Sequence, residues 1–553
     1  MKTTVGKNPA TRRWLTTVWL LTAALWAGNS VAASEVSAES DFVKNAHLPS
    51  DVKQTCHADI ASWFAGDEVT ANGWVKPANG LAPIFADFDN NTRCDFYKWG
   101  AQMFLWLTSG NSANHVFNTS PGFYNVSVEE DGKREFLPGG LLKLGVRKAK
   151  TDEQIELGQA GGFDVLVSQD DSLVYYGLHV NDVFALYTTG QKMGAFNDRL
   201  RWLSGQEDLA CMAQYKSCAS EIKGFCSKQL EHCTHNNFPS TKPQLDIVSE
   251  FAADYGYPLG YDKIALALEL KTSWIELDQI IDPQQKATYV TERAVVPVFD
   301  RAPINPKTKQ QQWTITGTKE TTLALVGMHV VGTVNGHPEM IWSTFEHVSN
   351  APDAAYDYMT ATGKGTQAYD ASGKWNFIQK DAAEPTAITA NARVSAYEKS
   401  DNYPDPECHR ILPGDNNTEC IVNIDGQEIS AIDVLRVDPW GNDQASSSAL
   451  ANNTDLASIN VSVLSQLKLG DVRGNYIQTG GIWTAKGQIP SDGTSSDLRG
   501  SLKLANTTME TFFQFHRTDF NPLNCFGCHG ADNATEAVEI SHIFDALQPL
   551  PKK

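Results

Sequence analysis

Residues 323–348, LALVGMHVVGTVNGHPEMIWSTFEHV, read as two β-strands, Leu323–Val334 and Glu339–Val348, joined across Asn335-Gly336-His337-Pro338. Asn-Gly is the strongest short hairpin signal, so the arms are antiparallel neighbours. With a two- or four-residue loop, His329 shares a face with Trp342, Thr344 and Glu346, while His347 lies on the other face. His329 beside Glu346 is either an oriented imidazole or an ordinary cross-strand polar pair.

Outward from this hairpin the chain keeps a strand-like pattern. Gly162–Ser168, Leu173–Leu178, the alternating Ile264–Leu277 and Tyr476–Lys486 all read as strands. Helical pieces are expected at Tyr97–Leu107, Leu456–Leu467 and about 502–516, and the polar stretches 441–454 and 488–500 read as loops. The expected class is α+β, with a largely antiparallel β body at 34–430 and a helical C-terminal region at 431–553.

The 553 residues carry 45 basic and 65 acidic side chains, a net charge of −20. Such a chain repels phosphate backbones, which argues against nucleic acid as a partner. Its N-terminus runs from the basic Lys2–Arg13 into an apolar stretch, Leu15–Gly28, followed by Val31-Ala32-Ala33. That is the pattern of a signal peptide over 1–33, cleaved after Ala33, and it implies a periplasmic or secreted protein. The apolar run is shorter than the roughly 20 residues a spanning helix needs, so no integral membrane segment is expected after cleavage.

Export makes disulfides available to the ten cysteines. Cys211, Cys218, Cys226 and Cys233 are spaced nearly symmetrically, seven or eight residues apart. Folded as a helical hairpin over 205–236, they would pair Cys211–Cys233 and Cys218–Cys226. Proximity in sequence suggests Cys56–Cys94 and Cys408–Cys420.

The remaining two cysteines belong to Asn524-Cys525-Phe526-Gly527-Cys528-His529-Gly530, a C-x-x-C-H segment. This is the attachment pattern of c-type haem: the two thiols add across the vinyl groups of one porphyrin edge, and the adjacent histidine ligates the iron. Cys525, Cys528 and His529 are therefore the expected haem-binding residues, holding one covalent haem c. A thioredoxin-like pair would open a helix after a strand, which the preceding stretch does not suggest.

Residues 502–530, LKLANTTMETFFQFHRTDFNPLNCFGCHG, resemble the C-terminal haem segment of large exported bacterial cytochrome c family proteins. There an N-T-T-M-E-T-like helix leads into a single C-x-x-C-H. The W-S-T-F-E-H stretch within 323–348 also resembles a hairpin in the body of such proteins. The resemblance covers these two stretches and implies haem attachment at Cys525 and Cys528 with iron ligation by His529; it supplies no substrate.

The second iron ligand decides between electron carriage and small-molecule chemistry, because an open position permits binding. No methionine follows His529. Candidates are His516 and Met509, which share the apolar face of a helix over 502–516, His542, and the hairpin residues His329 and His347. For Met509 and His516 core packing is the plainer reading, and helical rotation turns His542 away from its apolar stripe. The expected function is electron transfer with a redox partner protein. A haem-dependent oxidoreductase or ligand-binding protein with an open iron and a pocket in the body is the alternative. No hydrolase elbow, zinc or phosphate-loop motif is present.

Overall fold

The computed structural model describes residues 40–69, 75–77, 92–110, 115–127, 132–144, 164–197, 202, 237–396, 419–515, 524–531 and 537–553. The expected signal peptide, all four cysteines of 205–236, Cys408 and His516 lie outside the described residues. In chain order the strands are β1 Phe64–Val69, β2 Val75–Pro77, β3 Phe123–Val126, β4 Phe136–Pro138, β5 Leu142–Lys143, β6 Tyr175–Asn181, β7 Leu268–Glu276 and β8 Thr291–Arg301. They continue with β9 Gln312–Val334, β10 His337–His347, β11 Tyr356–Met359, β12 Lys364–Gln367, β13 Ala392–Ala396, β14 Glu419–Asn423, β15 Tyr476–Thr484 and β16 Leu498–Gly500. The helices are α1 Asp41–Asn45, α2 Arg93–Leu107, α3 Asp182–Lys192, α4 Lys242–Tyr255, α5 Pro283–Lys286, α6 Ala449–Leu464 and α7 Cys525–His529.

Twelve strands form one sheet whose main path is β16-β15-β10-β9-β7-β6-β3-β4. Strand β9 is long enough to serve two neighbourhoods, pairing with β8 and β14 through its first half and with β7 and β10 through its second. Only β5 with β8 is parallel, so the protein is α+β with a largely antiparallel body. Strands from both sides of residue 430 hydrogen-bond in this sheet, since β15 pairs with β10. Residues 39–553 form one compact unit. Among the described residues no helix is long and apolar enough to cross a membrane.

The β9–β10 hairpin turns at Asn335-Gly336, with Gly336 at φ +76°, so the second strand resumes at His337 rather than at Glu339. A register shift between His337 and Ile341, with Met340 at φ +64°, then sets Thr344 opposite His329. Even residues of β10 therefore face one side and odd residues the other. Helix α2 covers the odd side: Phe104 stacks on Phe345 at 4.4 Å and Phe96 on Trp483 at 4.3 Å. A disulfide joins Cys56, in the segment before α2, to Cys94 in its first turn.

The even side is covered by the C-terminal chain, and not by the helix expected over 502–516. The described part, 501–515, runs in turns, with one 3₁₀ turn at Thr511–Phe513. The reason is competition for hydrogen bonds. Asn506 donates through its side chain to Thr344 Oγ1 at 2.9 Å, Thr507 through its backbone to Glu346, and the Thr508 hydroxyl meets that of Ser273 at 2.7 Å. These polar side chains bind the sheet instead of capping a helix. Gly327 leaves the space they need, since a Cβ there would sit 2.6 Å from Thr508 Oγ1.

Two further expectations are corrected. The stretch 441–454 is not all loop, because α6 already begins at Ala449. Its polar start is buried and paired: Asn452 accepts from Tyr97, and Asn453 donates to Asp357 O at 2.9 Å. The expected strand 162–168 is, over its described residues, reduced to single bridges, Asp164 with Arg393 and Val167 with Leu173. Helices α3 and α4 were not anticipated; Asn181 caps one and Thr241 the other, with Gly256 in the left-handed region ending α4.

Candidate functional site

The one-turn helix α7 places Cys525 and Cys528, three residues apart, on the same side, with His529 following. Asn524 anchors its start by donating to Gly493 O and Leu502 O, at 3.1 and 3.2 Å. Its end is held by close packing: a Cβ on Gly530 would lie 2.2 Å from Ser491 O. Both thiols are free and half-buried. Burial, and then the nearby Glu510 carboxylate, push both upward, Cys528 to about 11, so they are protonated at neutral pH.

His529 donates Nδ1–H to Ile540 O at 2.8 Å, which leaves the Nε2 lone pair available. Burial first, and the neighbouring His542 second, push this imidazole well below its ordinary range, so it is neutral. The Trp342 ring packs 4.3 Å from it and also contacts Phe526. On its other flank His542 stacks at 3.9 Å and 17°, with Nε2–H donated to Cys528 O at 2.9 Å. His542 is exposed, but its segment is a 3₁₀ turn at Ala537–Ile540 followed by turns rather than the helix expected, and the side chain belongs to this cluster.

Beneath this segment lies the even side of the sheet. Two rows of side chains cross it: Leu178, Lys271, His329 and Thr344, then Val180, Glu269, Val331 and Trp342. Strands in the middle of a sheet covered on both sides are normally closed to solvent, as Leu270, Thr272 and Val330 are. Here Tyr176, Leu178, Glu269, Lys271 and His329 all keep partial exposure, so a cleft opens over β6, β7 and β9. His329 is 18% and Lys271 23% exposed.

Glu510 is the hub of that cleft. Its carboxylate accepts the Asn506 backbone N–H at 2.9 Å, meets His329 Nε2 at 3.1 Å and lies 3.9 Å from Lys271 Nζ. Burial alone would raise this carboxyl, but His329, Lys271 and the Asn506 amide outweigh it and hold it below the usual range. His329 Nδ1 is tied to Thr344 Oγ1 at 2.8 Å. Glu269, one row away, is lifted to about 7 because burial outweighs Ser541, Arg134 and Lys271, and its Oε2 has no hydrogen-bond partner.

The cluster thus unites Cys525, Cys528, His529, His542 and His329 from the sequence reading. His347 is excluded from it: on the opposite side of the sheet it stacks on Tyr289 at 3.9 Å and contacts Thr288 Oγ1 at 3.1 Å. Met509 is buried in the turn before Glu510. His329 faces the same side as Glu346, as expected, but its partner is Glu510, while Glu346 is taken up by Arg436 and Thr507. Sequence reading missed Glu510, Lys271 and Glu269. The available signal was a pair of charges, Glu269 and Lys271, inside the alternating apolar strand 264–277, and the acid next to Met509.

Cys56 and Cys94 are bonded to each other, with Cα atoms 5.4 Å apart. Cys420 is disulfide-bonded, and its expected partner Cys408 lies outside the described residues.

Chemically, two free thiols on one helical turn can form two thioethers to one flat group, and His529 can give Nε2 to a metal. No family model, curated protein or solved structure matches the chain. What fold and site define is an α+β protein with a thiol–imidazole cluster mounted over a charged cleft in its main sheet.

Proposed function

We propose that the protein is an exported c-type cytochrome carrying one covalent haem and acting in electron transfer with a redox partner protein. The observation that carries this reading is the pair of free thiols at Cys525 and Cys528 beside an imidazole whose Nδ1 is already committed to Ile540 O. A structural disulfide would have joined the thiols, and a packing histidine has no need of an unused Nε2. The resemblance to large exported bacterial cytochrome c family proteins and the signal-peptide pattern over 1–33 point the same way.

In this reading Cys525 and Cys528 hold the haem by thioethers and His529 ligates the iron. The Ile540 carbonyl fixes the imidazole's tautomer and rotation. Trp342 and His542 pack against the His529 ring and restrict its rotation. Haem so bound supplies a one-electron couple whose potential follows from its ligands and burial. A second reading, a haem-dependent oxidoreductase or ligand-binding protein with an open iron, is favoured by the Lys271–Glu510–His329 cluster in the same cleft.

The test is an absorption spectrum of the protein produced with c-type maturation: oxidised, reduced, and reduced with CO. A c-type spectrum that survives acid–acetone extraction and does not shift with CO is the expected result. A CO shift favours the second reading. Haem that is absent or extractable removes both.

A further inference from the structure

We infer that His329, on the central strand of the sheet, is the second axial ligand of the iron that His529 holds. The inference rests on the cytochrome reading above and goes beyond it by assigning the ligand pair, and with it the closed coordination that suits electron transfer.

Elimination among the described histidines leads there first. His542 lies parallel to His529 at 3.9 Å. Two imidazoles that bind one iron from opposite sides have the porphyrin between them, and face-to-face rings in contact leave it no space. His542 therefore stands beside His529 on the same side. His347 is on the other face of the sheet against Tyr289. His179, also fully buried, is spent on Asn125 Oδ1 at 2.7 Å and Thr272 Oγ1 at 3.1 Å. His179, His115 and His337 all lie on the α2 side of the sheet, His179 and His115 against Phe117 and His337 against Phe96, and His47 and His57 are exposed beside Trp375 and Ser462.

The construction of His329 is the positive argument. It rises from the floor of the cleft, partly exposed like its neighbours Lys271 and Glu269, on the side of the sheet that carries α7. Its Nδ1 meets Thr344 Oγ1, which Asn506 Nδ2 fixes in turn at 2.9 Å. As in His529, Nδ1 is tied to the protein, which orients the ring and leaves Nε2 as the atom turned toward the charged cluster. A ligating imidazole needs that second support to hold its ring in line with the metal. Without haem, Nε2 contacts the Glu510 carboxylate. As an iron ligand His329 would offer the Nε2 lone pair, with its single ring proton on Nδ1 toward Thr344 Oγ1, and Glu510 would stay as a nearby negative charge. Lys271, 3.9 Å away, continues to pair with that charge.

The experiment uses the full chain matured with haem in cells. Electron paramagnetic resonance and near-infrared spectra of the wild type are expected to show low-spin iron with two imidazole ligands and no methionine-to-iron band. His329→Ala is expected to lose the low-spin spectrum, acquire CO binding in the reduced state, and recover the low-spin form on addition of imidazole. A wild-type methionine band would overturn the inference in favour of Met509, and an unchanged low-spin spectrum in His329→Ala would overturn it in favour of a residue such as His516. High-spin wild-type iron would overturn it too. Should His329→Ala fail to fold, His329→Met serves instead: a methionine-to-iron band is expected, and an unchanged two-imidazole spectrum would overturn the inference. Wild-type protein lacking covalent haem would instead sink the cytochrome reading itself, an outcome distinct from all of these.

Discussion

Glu346 accepts the backbone N–H of Thr507 at 3.0 Å, and so one buried carboxylate joins the hairpin to the C-terminal chain across 161 positions of sequence. The same carboxylate accepts the Thr507 hydroxyl and pairs with Arg436 at 2.9 Å, and Arg436 also binds Asp353. Both stretches singled out by their sequence, W-S-T-F-E-H and N-T-T-M-E-T, therefore meet, through Glu346 with Thr507 and through Thr344 with Asn506. The position of Glu510, three residues beyond Thr507, follows from these contacts.

Replacing Glu346 by Ala leaves the buried Arg436 guanidinium with Asp353 as its remaining carboxylate and takes the acceptor from Thr507. Breaking a buried pair from one side costs about 3–5 kcal/mol. Urea unfolding is expected to show a loss of that order for Glu346→Ala. A loss below about 1 kcal/mol would mean the contact does not hold the C-terminal chain in place.

The Cys56–Cys94 disulfide closes a separation of 38 residues between the segment from α1 and helix α2. The chain-entropy relation gives about 4 kcal/mol for a loop of that size. A double Cys56→Ser, Cys94→Ser protein is expected to unfold at correspondingly lower denaturant, and reducing agent should destabilise the wild type more than this variant, which keeps the bond at Cys420.

Thioether chemistry at Cys525 and Cys528 is separable residue by residue. Cys525→Ala or Cys528→Ala alone is expected to leave a single covalent link, seen as a shift of the reduced absorption band that still survives acid–acetone. The double variant is expected to release all haem into the organic phase. Full covalent retention by the double variant would contradict the attachment assignment.

Acid should weaken the fold through its buried imidazoles. Burial lowers His179 and His347 to about 3 from the ordinary 6.5, so between those values the unfolded chain binds more protons than the folded one. Stability is therefore complete above about pH 6.5 and falls as pH drops toward 3. At pH 5 each residue is expected to cost about 2 kcal/mol relative to pH 7. Urea midpoints at the two pH values, compared with those of His347→Gln, check this: the variant should show the smaller drop.

Local signals were sufficient for the hairpin. Asn335-Gly336 demands a tight turn and β-strand side chains alternate, so the face of His329 followed from counting for a two- or four-residue loop, and the shift before Ile341, being of two positions, keeps that face. They failed for 502–516 and 441–454. In the first, apolar spacing suggested a helix, yet Asn506, Thr507 and Thr508 found better partners on the sheet. In the second, polar composition suggested a loop, yet Asn452 and Asn453 found buried partners in Tyr97 and Asp357.

By itself the sequence determined the antiparallel hairpin, the α+β class and the C-x-x-C-H spacing, because each depends on neighbours a few positions apart. Only the tertiary structure decided that Glu510, Lys271 and His329 share a cleft with Cys525 and Cys528, and that His542 stacks on His529. Those contacts join residues up to about 260 positions apart through cross-strand register and the path of a non-helical segment. Neither leaves a periodic trace in the local chain, since register is set by the whole sheet and the segment's course by which hydrogen bonds the sheet offers it.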